Sequence, residues 1–126
     1  MKLNPDCVRS VLLYAEDNAD PDSPWCVSKS GESQLPLFTA SEVWYHVRQC
    51  VNAGLLFQSA NWIDDTLEIS DLTPAGHQAL AALRNPRVHE KARCEWLSKV
   101  RDGLISASTA QFVSVAMEIL QSAHPS

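Results

Sequence analysis

Apolar residues recur at helical spacing in five stretches of the chain and alternate in short stretches between them. Asn4-Pro5-Asp6 reads as a helix start: Asn caps, Pro suits the first helical position, and Asp complements the helix dipole. Val8, Val11, Leu12 and Ala15 then fall on one face, and the Asn18–Pro21 stretch ends the helix near Asp17. Residues 18–36 form a polar link carrying Pro21, Pro24 and Pro36. Within it Trp25-Cys26-Val27 predicts a short strand. Leu35, Leu37 and Phe38, alternating around Pro36, predict a second one at an edge.

The stretch Ser41–Leu83 organises the rest. A helix is predicted over Ser41–Ala53, with Val43, Val47 and Cys50 inward, Trp44 and Val51 flanking, and Gly54 as the left-handed stop. Two strands, Leu55–Ser59 and Thr66–Asp71, follow as a hairpin with its tip at Asn61–Asp65. Leu67 and Ile69 alternate toward the core. Thr73-Pro74 opens a helix carrying Ala79, Leu80 and Leu83. Asn85-Pro86 opens another, to about Arg101, with Val88, Ala92, Trp96 and Val100 inward. After Gly103, Ser108-Thr109-Ala110-Gln111 has the capping-box pattern, and the last helix runs to about Ser122.

This order predicts a mostly α chain with a small β-hairpin: a winged helix-turn-helix with two additional C-terminal helices. Residues 1–85 would form the core. Residues 86–126 would be a helical extension, packed on that core or forming a dimer seam through Phe112, Val115, Ala116 and Ile119. A chain of 126 residues suits one domain. No apolar run is long enough for a membrane span and the start lacks a secretory h-region, so a cytoplasmic protein is expected. Four cysteines without a close pair then read as reduced thiols.

Charge modifies the picture. The net charge is −5, but residues 1–83 carry four Lys/Arg against eleven Asp/Glu, giving −7, and residues 84–126 carry six against four, giving +2. Overall acidity weakens attraction to nucleic acid. Outside the central helix, Arg84–Arg101 is the remaining candidate phosphate-facing surface.

Several motifs resemble one family. Asn4–Tyr14 (NPDCVRSVLLY), Tyr45-His46-Val47, Ala53-Gly54-Leu55-Leu56, Leu72-Thr73-Pro74-Ala75-Gly76-His77 and Leu83-Arg84-Asn85-Pro86 are similar to the bacterial and phage family catalogued as domain of unknown function 2513. Cys50, Ala79 and His89 depart from its pattern. The resemblance implies a winged-helix fold and a mobile-element origin. It supplies no catalytic residues.

No nucleophile elbow, phosphate loop or HExxH pattern is present, so no enzyme, cofactor or metal is expected. His46 and His77 could approach each other across the base of the hairpin, but their spacing is not that of metal ligands. Each imidazole is expected to bond backbone at a packed junction. The outward face of Ser41–Ala53 is the best binding candidate. Arg48 can pair with guanine, Gln49 or Asn52 with adenine, and Tyr45 can reach a phosphate. Against it stands a plain solvated helix face, with Glu42 at one end.

Asp64, Asp65, Glu68 and Asp71 make the hairpin acidic and oppose a phosphate grip. The tip residues Trp62, Ile63, Asp64 and Asp65 therefore suggest an alternative, contact with a basic host protein. Two functions are expected on these grounds: a DNA-binding transcriptional regulator acting as a homodimer on double-stranded DNA, or a winged-helix module that binds protein.

Overall fold

Each helix starts where its cap residue dictates. In the computed structural model, which describes residues 1–59 and 66–123, Asn4 accepts the Asp6 N–H through its side chain and opens α1 (Pro5–Asn18). Thr39 and Glu42 form a reciprocal capping box that opens α2 (Ala40–Asn52). Thr73 caps α3 (Pro74–Leu83) and Asn85 caps α4 (Pro86–Arg101). Three of these four starts place Pro at the first helical turn, where its missing N–H costs nothing. Ser108 Oγ accepts the Gln111 N–H at the start of α5 (Thr109–Ala123).

Between the helices lies a small antiparallel sheet. Its strands are β1 (Trp25–Ser28), β2 (Leu56–Gln58) and β3 (Thr66–Leu72), in the order β1-β3-β2. The expected hairpin is thus joined by a third strand, with Trp25 opposite Ile69 and Val27 opposite Leu67. Leu67 and Ile69 are buried as the alternation requires. The register then slips: Phe57 faces Asp71 while Gln58 faces Ile69. Ser70 is the extra residue of this bulge. It reverses the parity of the strand, so Leu72 rather than Asp71 enters the core.

Residues 35–38 do not form the expected edge strand. Phe38 N–H donates to the Leu35 carbonyl at 3.0 Å, closing a turn with Pro36 at its second position. Leu35 is buried by it and Leu37 is left 88% exposed. Residues 19–39 hold β1 and turns, so α1 and α2 are not joined by the short turn of a strict helix-turn-helix.

The core sits where α1, α2, α3 and the sheet meet, around Val8, Leu12, Val47, Ile69, Leu80 and Leu83. Tyr14 and Trp25 close one side, with ring centroids 4.6 Å apart. α5 packs on α4 and α3 and touches α1, so residues 86–123 cover the core. Phe112, Val115 and Ala116 are buried within the chain and Ile119 is partly buried. Of the two expectations for this stripe, packing on the core or forming a dimer seam, the described chain shows the first: Phe112 meets the rings of Trp96 and His89 edge-on. No helix among the described residues is long and apolar enough to cross a membrane.

Candidate nucleic-acid interface

The capping box fixes where α2 begins and therefore which residues it turns outward. Arg48 and Asn52 are exposed, and Tyr45 and Gln49 are partly exposed. The four expected contact residues thus share one accessible stripe. Glu42, at the end of that stripe, is committed: its carboxylate accepts the Thr39 N–H at 3.1 Å.

Trp44 lies beside the stripe, 8% exposed, and gathers two cations on its ring. The Arg48 guanidinium lies 5.4 Å from the ring centroid and the Lys29 ammonium 5.1 Å from it. Both distances fall within cation–π range. Lys29 follows β1 directly and comes to Trp44 because β1 pairs with β3 alongside α2. Sequence reasoning missed Lys29, since the pairing that brings it here is non-local. A small cleft of about 150 Å³ opens next to this cluster, lined by Trp44, Arg48, Val51, Asn52, Gln58 and Leu67, with no acidic residue among them.

Half of the cations of the second expected basic surface are paired. Arg84 pairs with Glu16 at 2.6 Å, Arg93 with Glu90, and Lys99 with Glu95 at 3.2 Å. Arg93 also faces Asp6 at 3.9 Å. Of the six cations after residue 83, only Arg87, Lys91 and Arg101 have no ion pair among the described residues.

The histidines divide by role. His46 is buried, and both ring nitrogens are used. Nε2 accepts the Asn4 N–H at 2.8 Å, so the proton sits on Nδ1, which donates to the Glu42 carbonyl at 2.7 Å. Burial pushes its pKa below the ordinary value of 6.5. The backbone role expected for His46 holds. His77 is exposed on α3, so the matching expectation for it does not hold. His89 is buried and its Nε2 meets Asp6 Oδ1 at 2.8 Å, tying α4 to the first turn of α1. Among the described residues no group of three or more His, Cys, Asp or Glu side chains is gathered as metal ligands.

The expected protein-contact residues Trp62, Ile63, Asp64 and Asp65 lie outside the described residues. Nearby, Phe57 on the edge strand β2 is half exposed and stands opposite Asp71.

The motifs AGL and LTPAGH meet in space. Thr73 Oγ1 donates to the Gly54 carbonyl at 2.5 Å and accepts the Gly76 N–H at 2.9 Å. Thr73 N–H donates to the Leu55 carbonyl at 3.0 Å. A family model described as "Hypothetical protein (DUF2513)" matches residues 2–102 and so takes in both motifs, α2 and the whole sheet. Neither the curated proteins nor the solved structures yield a match to this chain.

Proposed function

The chain belongs to the DUF2513 family of hypothetical proteins, and we propose that it is a winged-helix module that binds double-stranded DNA through α2 and acts as a regulator. The observation that carries this reading is the cluster at Trp44. There two cations from different elements, Lys29 and Arg48, stand beside a helix face that also offers Asn52, Gln49 and Tyr45. The order helix, strand, helix, two-stranded ribbon supports the winged-helix assignment, with β1 completing the sheet on the far side of β3. α2 enters the major groove. Arg48 and Asn52 read base edges, while Lys29 and Tyr45 hold phosphates.

With Lys29 as the one cation on phosphate in each chain, the salt slope is about −1 in log K against log [salt], and two chains on one site give about −2. The test is fluorescence anisotropy with mixed duplex DNA at 20–150 mM salt. Binding that weakens with that slope, and weakens further in Arg48→Ala and Lys29→Ala, supports the reading. Absence of binding at the lowest salt overturns it.

A second reading, protein contact through the hairpin, is favoured by the exposed Phe57 opposite Asp71 on an edge strand. Under it, Phe57→Ser abolishes capture of a basic partner and leaves DNA binding alone.

A further inference from the structure

A second cleft lies where the first residues of the chain, Tyr45 of α2 and the C-terminal half of α4 come together. It encloses about 470 Å³, within the ordinary range for small-molecule sites. Trp96, Leu97 and Val100 of α4 form its apolar wall, and Tyr45 of α2 closes one side. Lys2 and Arg101 stand at its edge, and no Asp or Glu lines it among the described residues. Neither cation has an ion pair among the described residues.

One further feature points to an occupant. Leu97, on the same wall, is 44% exposed, so apolar surface is left open to water beside a site of positive charge.

We propose that this cleft binds a small organic acid with an aromatic or alicyclic body. The apolar body lies against Trp96, Leu97 and Val100. The carboxylate meets Arg101 and Lys2. Neither the site nor its ligand class depends on the DNA reading. If that reading also holds, Tyr45 links the two, because it borders this cleft and also belongs to the outward stripe of α2.

The probe is 2-naphthoate, with 2-naphthamide as its uncharged counterpart, read by calorimetry and by the indole N–H signals of the 15N-labelled full chain. Saturable binding of naphthoate is expected, at least tenfold tighter than the amide. The indole signal assigned through Trp96→Phe should move most. Arg101→Gln should weaken naphthoate at least fivefold, and Leu97→Glu, an exposed position that leaves the core alone, should abolish binding. The proposal is overturned if naphthoate does not bind up to 1 mM, or if binding moves other indole signals only. It is also overturned if Leu97→Glu instead disperses a dimer whose seam is this cleft. DNA binding is measured separately, so failure of one proposal leaves the other standing.

Discussion

Gly76 sits against the carbonyl of Leu55 so closely that a Cβ at this position would overlap the oxygen. The first turn of α3 is thereby held on the loop that ends α2, with Thr73 bonding both Gly54 and Leu55. Gly76 has no positive φ. Glycine is required here by distance and not by backbone conformation. Gly76→Ala is expected to cost about 1–3 kcal/mol, the range for an overpacked core position, and toward its upper end because the neighbour is backbone. Thr73→Val, which removes the cap and leaves Gly76 N–H without its acceptor, should cost about 1–2 kcal/mol. Urea denaturation of both variants checks the two values. A stability unchanged in Gly76→Ala would contradict so close an approach of α3 to Leu55.

His46 makes stability depend on pH. Its Nε2 must stay unprotonated to accept the Asn4 N–H, and burial lowers its pKa in the folded chain. Between the ordinary value of 6.5 and that lower folded value, the unfolded chain holds the extra proton. Stability is therefore full above pH 6.5 and falls as the pH drops below it, with a slope no steeper than about 1.4 kcal/mol per pH unit for one proton. The loss levels off below the folded value. Denaturation midpoints between pH 7.5 and 5.5, compared with those of His46→Gln, measure this component. Equal slopes in the two proteins would remove His46 as its source.

Arg9 closes the far end of α3. Its Nε donates to the Leu83 carbonyl at 2.7 Å and its Nη2 to the Arg84 carbonyl at 3.1 Å. A cation on carbonyls at a helix C-terminus is favourable for both charge and hydrogen bonding. Arg9→Met keeps most of the stem and should lose about 1–2 kcal/mol, read by the same denaturation assay. Glu16→Gln, which breaks only the solvent-screened pair with Arg84, should leave the denaturation midpoint nearly unchanged.

The thiols should separate into two classes. Cys7 and Cys50 are buried, and burial pushes the Cys7 thiol up to about 12 and raises that of Cys50 as well. Cys26 and Cys94 are exposed. At pH 8 the thiolate fraction of Cys7 is on the order of one part in ten thousand, so it does not react while the chain is folded. N-ethylmaleimide followed by mass spectrometry should show two labels on the native protein and four after unfolding.

The parts of this fold that were legible in the sequence are those set by neighbours in the chain. Asn4-Pro5, Thr73-Pro74 and Asn85-Pro86 announce helix starts because capping needs only a side-chain oxygen and the next few N–H groups. Leu35–Phe38 misled because two apolar residues flanking a proline fit an edge strand as well as a turn. The fixed φ of Pro36 and the Leu35–Phe38 hydrogen bond decided for the turn.

Features that depended on distant partners were hidden. The outward stripe of α2 could be read from helical spacing. The arrival of Lys29 over Trp44 required the pairing of β1 with β3. The burial of His46 required Asn4, far away along the chain. The apolar stripe of α5 was visible, but whether it faced this chain or a second one turned on the position of α3 and α4.

Because Phe112 and Ala116 occupy the hollow between α3 and α4, the boundary drawn at residue 85 is not a place where the polypeptide can be severed. Removing α4 and α5 would strip the cover from Leu80 and Leu83 and leave Asp6 without His89. These two helices are thus a lid on the same hydrophobic interior, and a shortened product ending at Asn85 would carry a sticky face into solution.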